Sequence, residues 1–168
     1  MTKIVIKAKY SCLFFSEGRK DKKFLQALAE LESFQYATKN WNIVFDNASG
    51  SSPKVILESC RKVTTNSGHD IILCFIDLDK LKEDHSGSWE KVKDDLEKEY
   101  SKFVIIWHID SAEEEYRRVV GGESIGKHQL NKLAKKKIAE FIKSNLWKRI
   151  LEPIKNRETE LDSRKISI

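Results

Sequence analysis

Two clusters of acidic residues each follow a hydrophobic run in this sequence. Glu17 and Asp21 come after Tyr10–Phe15, and Asp77-Leu78-Asp79 comes after Ile71–Ile76. Short apolar runs of this kind are typical of strands that are buried on both faces, as in a parallel sheet. Parallel α/β sheets bind ligands at the carboxyl ends of their strands, and carboxylates are hard oxygen ligands suited to Mg²⁺. The pattern therefore predicts Mg²⁺-dependent phosphate chemistry.

The spacing within each cluster supports a metal site and also allows a simpler interpretation. Asp77 and Asp79 are two residues apart, so both can reach one cation from an extended segment at a strand end. Gly18 lets the backbone turn sharply after Glu17. Alternatively, Glu17 and Asp21 complement the dipole of a helix N-terminus, while Asp77 and Asp79 cap a loop. The sequence leaves both interpretations open.

The segments that must position these acids alternate between strand and helix patterns. Further apolar runs predict strands at Trp41–Phe45 and Phe103–Ile109. Helices are predicted at Lys20–Phe34, from Pro53 onward, and at Trp89–Tyr100, with a polar loop at Lys80–Ser88. This alternation favours right-handed crossovers and a parallel sheet that is covered on both faces. The predicted fold class is α/β, with about four mainly parallel strands flanked by helices.

The order of the two acidic motifs resembles the TOPRIM domain, the Rossmann-like catalytic domain of topoisomerases and bacterial primases. The matching elements are a strand, the motif Glu17-Gly18-x-x-Asp21-x-x-Phe24-Leu25, a later strand and Asp77-x-Asp79. The motifs are most similar to those of OLD-like nucleases and small stand-alone members, over about Tyr10 to Tyr116. The resemblance implies that Glu17, Asp77 and Asp79 are catalytic and bind Mg²⁺ or Mn²⁺ during phosphodiester cleavage.

A third acidic group follows the predicted fourth strand. Asp110 and Glu114 stand where OLD-like nucleases carry further metal-coordinating acids, so the resemblance implies a two-metal site. Acids at the start of a helix also complement the helix dipole, and the sequence does not separate these two roles. His108 precedes the group and is predicted to lie near the site.

The resemblance also implies a basic residue late in the domain that stabilises charge on the substrate. The candidates for substrate binding are Lys127, Lys132 and Lys136, which the sequence does not rank, together with Asp21. Lys127 belongs to Gly121–His128, a near match to the phosphate loop GxxxxGK[ST]. A histidine replaces the hydroxyl residue, and the preceding segment is too charged for a buried strand. The near match therefore does not predict ATP binding.

Charge is distributed unevenly along the chain. Residues 1–116 contain 17 basic and 20 acidic side chains, whereas residues 117–168 contain 14 basic and 6 acidic ones. A basic region beside an acidic, metal-binding edge suits a polyanionic substrate, because lysines hold phosphates while carboxylates hold cations. The other interpretation is a solvated, lysine-rich helix.

The cysteines and the amino terminus predict where the protein resides. Cys12, Cys60 and Cys74 are odd in number and far apart, which is typical of reduced core residues in a cytoplasmic protein. No Cys-x-x-Cys pair is present to bind zinc, and the amino terminus lacks a long apolar segment. A cytoplasmic location without membrane association is therefore expected.

Three regions are predicted along the chain. Residues 1–120 form the TOPRIM-like catalytic domain, residues 121–155 a basic helical extension of the same domain, and residues 156–168 a polar, flexible tail. Within the extension, the second of two helices is predicted at Leu146–Ile154. The tail offers few residues to bury, which is the reason for expecting it to be loose.

The predicted function is a metal-dependent nuclease that cleaves DNA or RNA. The alternative is a non-catalytic module of the same fold that binds nucleic acid or a partner protein through its basic region. Homo-oligomerisation and a role in phage defence are further expectations, the latter implied by the stand-alone relatives. A phosphatase of the haloacid type is disfavoured, because its Asp-x-Asp follows the first strand and Leu81 occupies the position of its Thr or Val.

Overall fold

Four parallel strands form one sheet in the computed structural model, which describes residues 8–30, 32–49, 52–108 and 145–166. The strands are β1 (Tyr10–Ser16), β2 (Trp41–Asn47), β3 (Ile71–Asp77) and β4 (Val104–His108). The helices are α1 (Arg19–Ala29), α2 (Glu32–Ala37), α3 (Pro53–Thr64), α4 (Leu78–Asp84), α5 (Trp89–Glu99) and α6 (Asn145–Ile166). The α/β fold class predicted from the sequence is confirmed.

The strand order creates a switch point between β1 and β3. The order across the sheet is β2-β1-β3-β4, and every neighbouring pair is parallel. From β1 the chain crosses to β2 on one side of β1. From β2 it then crosses over β1 to reach β3 on the other side. Crossovers from such a pair depart over opposite faces, which leaves a crevice beyond the carboxyl ends of the two strands.

A hydrophobic core lies on each face of the sheet. On the first face, Phe14 and Phe75 pack with apolar residues of α1, α2 and α6. On the second face, Phe15 and Ile76 pack with residues of α3, α4 and α5. Neighbouring residues of a strand point to opposite faces, so both must be apolar when both faces are covered. This double burial explains why the strands read as continuous hydrophobic runs.

The cysteines lie in these cores, as predicted. Cys12, Cys60 and Cys74 are all free thiols, and none has measurable exposure. Burial raises the pKa of the Cys12 thiol, because the thiolate would lose its hydration. The pKa of Cys74 is also raised, since its Sγ lies 3.4 Å from that of Cys60 and both are desolvated.

The single helix predicted at Lys20–Phe34 is wrong, because the structure has two helices there. α1 ends at Ala29, and α2 begins at Glu32. Leu28 and Phe34 are both about 1% exposed and belong to the same core. In an uninterrupted helix these two side chains would point about 120° apart. The break changes the helical phase, so that both residues reach the sheet.

The polar loop predicted at Lys80–Ser88 is also wrong in its first half, which belongs to α4. Leu78 and Leu81 are 9% and 1% exposed and pack on the second face of the sheet. Lys80 and Asp84 form an i,i+4 ion pair at 3.3 Å on the outer side. Two leucines within seven residues make too short a pattern to predict a helix, so tertiary burial decides the conformation.

The polar tail predicted after residue 155 is helical instead, because α6 continues to Ile166. Polar contacts hold this second half of α6 on the sheet. Asn40 donates through Nδ2 to Glu158 at 2.7 Å, and Arg157 donates through Nε to the carbonyl of Asp70 at 3.0 Å. Tyr10 donates its hydroxyl hydrogen to Asp162. The tail has few apolar residues, and no sequence pattern indicates these long-range partners. The three-region division itself stays a prediction.

Replacing Tyr10 with phenylalanine is expected to lower the free energy of unfolding at pH 7–9, and to lower it by less as the pH rises above about 10. The hydrogen bond to Asp162 raises the pKa of Tyr10 to about 12 from 10.0. The protonated phenol therefore stabilises the native state fully below about pH 10, and this stabilisation is lost as the pH rises toward 12. Urea unfolding of both proteins at pH 8, 10 and 11 measures the difference.

Tyr36→Phe is the matched control for this experiment, because Tyr36 is 76% exposed. Its free energy of unfolding should follow that of the wild type at every pH. A difference between wild type and Tyr10→Phe that stays constant from pH 8 to 11 would contradict the proposed role of the Asp162 contact. Tyr100, whose pKa is raised by burial and by Glu58, is present in all three proteins, so its effect cancels.

Membrane crossing requires about 20 consecutive apolar residues in a helix. Within the described ranges, no helix combines that length with sufficient apolar character.

Candidate functional site

Glu17 and Asp77 meet at the carboxyl edge of the sheet. Glu17 directly follows β1, and Asp77 is the last residue of β3, the neighbouring strand. The backbone N–H of Asp77 donates a hydrogen bond to Oε1 of Glu17, with an N to O distance of 2.6 Å. The structure thus brings together two acidic residues that are 60 positions apart along the chain.

The end of β1 places Glu17 at this position. Ser16 is fully buried in the last position of the strand, and its hydroxyl donates to the carbonyl of Gly18 at 3.2 Å. Glu17 and Gly18 form a bend, and α1 begins at Arg19. The short link between strand and helix keeps the Glu17 side chain beside β3. Ser16 is a feature that the sequence analysis missed, because the strand was predicted to end one residue earlier.

Gly18 is not required for this bend. A Cβ atom at Gly18 would meet nothing within 4 Å, and its φ angle is not in the left-handed region. The bend after Glu17 therefore does not use the conformational freedom of glycine that the sequence suggested. An alanine at this position would have both the space and the backbone conformation that it needs.

Asp79 is placed differently from the sequence prediction. The extended segment expected for Asp77 and Asp79 ends at Asp77, which has φ −73° and ψ 123° and precedes the first turn of α4. Asp79 lies within that first turn and is exposed. The prediction that both side chains leave an extended segment is wrong, because burial of Leu78 and Leu81 starts a helix at Leu78. In this turn, Asp79 also complements the positive end of the helix dipole.

His108 lies beside Asp77 in the sheet, as expected. The two residues are register partners at the ends of β4 and β3. His108 is 2% exposed, and its ring stacks on Phe75 with a centroid distance of 5.8 Å and an interplanar angle of 17°. His108 is therefore buried at the same edge of the sheet as Asp77, against the ring of Phe75.

The remaining predicted site residues are not all described. Asp21 lies in the first turn of α1, and its side chain is outside the described part of the structure. The other predicted metal ligands and phosphate contacts also lie outside the described residues: Asp110, Glu114, Lys127, Lys132 and Lys136. Their roles stay predictions.

The donor chemistry of this edge fits a hard divalent cation. Glu17 and Asp77 supply carboxylate oxygens, which Mg²⁺ and Mn²⁺ favour. Across the described ranges, no group of three or more His, Cys, Asp or Glu side chains is arranged to hold a metal ion. The described residues therefore provide two acidic residues at neighbouring strand ends, joined through the backbone N–H of Asp77. Mg²⁺ typically binds one or two carboxylates together with water and substrate phosphates.

The basic character of the carboxyl-terminal region is concentrated outside the described residues. Residues 117–144 contain eight basic and two acidic side chains, whereas residues 145–168 contain six and four. In α6, Arg149 donates to the carbonyl of Trp107, and Arg157 donates to the carbonyl of Asp70. Lys155 lies 3.9 Å from Glu158. Arg149 and Arg157 therefore bind α6 to the neighbouring backbone, whereas the Lys155 ion pair lies within α6.

No protein-family model matches the sequence, and no curated protein matches it. Among solved structures, the chain is similar to the C-terminal region of the Burkholderia pseudomallei OLD protein, with 16% sequence identity and a TM-score of 0.36. The match covers 90% of this chain and 84% of that chain. The α/β assignment rests on the observed strands and helices, and membership of the family suggested by the acidic motifs stays a prediction.

Proposed function

We propose that this protein is a metal-dependent nuclease that hydrolyses phosphodiester bonds in DNA or RNA at the carboxyl edge of β1 and β3. The observation that carries the proposal is the contact between Glu17 and the backbone of Asp77. This contact joins the two acidic motifs at the switch point, where open parallel sheets bind their ligands. The proposed metal ligands are Glu17, Asp77 and Asp79, with Asp110 and Glu114 as candidates for a second cation.

The side chains of this edge have separate tasks in the proposed reaction. The N–H of Asp77 fixes one oxygen of Glu17, so the carboxylate is oriented before substrate arrives. Glu17 holds a cation or accepts a proton from the attacking water, and Asp77 holds a cation. When bound, a divalent cation polarises a phosphoryl oxygen and promotes the ionisation of water.

Cleavage assays test this proposal directly. Plasmid DNA, single-stranded DNA and structured RNA are incubated with the protein and Mg²⁺, Mn²⁺ or EDTA. We expect cleavage of at least one substrate with Mg²⁺ or Mn²⁺ and none with EDTA. Asp77→Asn removes a carboxylate and should abolish this activity. Cleavage that is equal in EDTA, or equal in Asp77→Asn, would refute the metal-dependent reaction.

A second function, a non-catalytic module that binds nucleic acid, is favoured by a different observation. Asp79 lies in a helical turn, and among the described residues no group of three or more His, Cys, Asp or Glu side chains is arranged to hold a metal ion. This function predicts salt-sensitive binding of nucleic acid that is unchanged in Asp77→Asn. Binding without cleavage in all metal conditions would favour this module over the nuclease.

A further inference from the structure

The outer edge of β2 is unpaired among the described residues. β2 stands first in the strand order β2-β1-β3-β4, and within the described ranges it pairs with β1 alone. Such an edge presents a row of backbone N–H and C=O groups to which a further strand can add. Proteins commonly protect an exposed edge with lysine or proline, and β2 contains neither. The edge is therefore suited to pairing with another strand.

The side chains of β2 also leave apolar surface beside this edge. On the first face of the sheet, Ile43 and Phe45 are only partly buried, whereas Phe14 and Phe75 on the inner strands are 0% and 1% exposed. A pocket of about 570 Å³ lies between this face of β2 and the helices α1 and α2. On the second face, Val44 is one of the exposed large hydrophobic residues. A strand added at the edge would cover apolar surface on both faces.

The sequence of β2 is complementary to a second copy of itself in an antiparallel register. A two-fold axis at Val44 sets Val44 opposite Val44, Ile43 opposite Phe45, and Asn42 opposite Asp46. Residues that are directly opposite in an antiparallel pair lie on the same face of the sheet. Apolar side chains therefore meet apolar ones on both faces, and the Asn42 amide meets the Asp46 carboxylate as a donor meets an acceptor.

The neighbouring two-fold registers lack this match. An axis at Ile43 would set Asn42 opposite Val44, and an axis at Phe45 would set Val44 opposite Asp46. Each of these places a polar side chain against the exposed valine, and the second leaves a carboxylate without a polar partner across the pair. The register centred on Val44 is therefore the favoured one.

The indole N–H of Trp41 provides a separate reason for a second copy at this edge. Trp41 is 6% exposed and lines the pocket, and its Nε1 is buried without a hydrogen-bond acceptor among the described residues. A buried donor without an acceptor destabilises the folded chain. In the register centred on Val44, Trp41 stands opposite Asn47 of the second copy, whose side chain carries an amide oxygen. The second copy thus brings an acceptor to each indole.

From this arrangement we propose that two copies of this protein form a dimer through antiparallel pairing of their β2 strands, with the two-fold axis at Val44. The two four-stranded sheets then become one continuous sheet of eight strands. The axis is perpendicular to the sheet, so the first faces of both copies lie on the same side. The inference goes beyond the proposed nuclease, because the interface uses none of the acidic residues at the carboxyl ends of β1 and β3.

Sedimentation velocity over a series of protein concentrations tests this inference. We expect the wild type to change from monomer to dimer as its concentration rises. Val44→Lys sets two like charges opposite each other and should raise the dimer dissociation constant by about tenfold or more. Val55→Lys is the matched control, because Val55 is 52% exposed on α3, and this variant should dimerise as the wild type does.

Cross-linking by oxidised glutathione tests the register. Val44→Cys places two thiols opposite each other, with Cβ atoms about 4.5–5.5 Å apart, and should give a disulfide-linked dimer. Asn42→Cys is exposed on the same face of the strand, but its own copy is displaced by four residues, about 14 Å, so this variant should not cross-link. The native cysteines have no measurable exposure and should not react.

Three results would overturn the inference. They are a wild type that stays monomeric at every concentration, an equal loss of association in Val44→Lys and Val55→Lys, and equal cross-linking of Asn42→Cys and Val44→Cys. Circular dichroism establishes that each variant is folded before it is compared, and the wild-type sedimentation result stands without any variant. Glu17→Gln should dimerise as the wild type does, so failure of the nuclease proposal leaves this test intact.

Discussion

Replacing Glu17 with glutamine is expected to lower metal-dependent phosphodiester cleavage by about 100-fold or more while leaving the fold intact. Glutamine keeps an oxygen at the position of Oε1, so it still accepts the hydrogen bond from the N–H of Asp77. The substitution removes the negative charge and retains this contact. A loss of activity therefore measures the charge of Glu17, and not the packing of the sheet edge. Cleavage rates at saturating Mg²⁺ or Mn²⁺ provide the measurement.

The same variant separates a metal ligand from a structural acceptor. If Glu17 binds the cation, Mn²⁺ should raise the melting temperature of the wild type and not that of Glu17→Gln, because a ligand stabilises only the state that binds it. If Glu17 serves only to accept the Asp77 hydrogen bond, both proteins respond equally to Mn²⁺. Glu17→Ala, which removes the acceptor as well, should be less stable than Glu17→Gln in either case.

Glu83→Gln is the charge-matched control for these experiments. Glu83 is exposed on α4, and the same single negative charge is removed there. Its cleavage rate and its response to Mn²⁺ should equal those of the wild type. Equal losses in Glu17→Gln and Glu83→Gln would show that general charge, rather than the acidic pair at the sheet edge, controls activity.

Replacing Phe14 with alanine is expected to lower the free energy of unfolding by about 3–5 kcal/mol. Phe14 has no measurable exposure. The distances between its ring centroid and those of Phe34, Phe45 and Phe75 are 6.2, 5.6 and 5.2 Å. The substitution removes apolar surface, opens a cavity in the first core and breaks three aromatic contacts. Since small domains have a total stability of about 5–15 kcal/mol, much of the margin would be lost.

Urea unfolding followed by circular dichroism measures this loss. Val44→Ala is the control, because Val44 is 38% exposed on β2, and its change should be below about 1 kcal/mol. Phe14→Leu retains part of the volume and should fall between the two. A loss below about 1 kcal/mol for Phe14→Ala would mean that the first core does not pack around this ring.

The sequence predicted the strands well because both faces of the sheet are covered. β1 and β3 were each predicted to within one residue, since a doubly buried strand is apolar at every position and its ends are polar. The same property located Glu17 and Asp77 at strand ends. Local pattern therefore predicted that both residues lie at the carboxyl edge of a parallel sheet, and it did not predict that β1 and β3 are neighbours.

Only the tertiary structure decided the features that depend on distant partners. The break between α1 and α2, the helix at Leu78 and the extension of α6 to Ile166 each satisfy contacts with another part of the chain. The strand order, and with it the meeting of Glu17 with the N–H of Asp77, is likewise absent from local periodicity. Hydrophobic spacing indicates which face of a helix or strand is buried. It does not indicate which residues cover that face. A polar contact such as that between Tyr10 and Asp162 forms only because folding brings its two partners together.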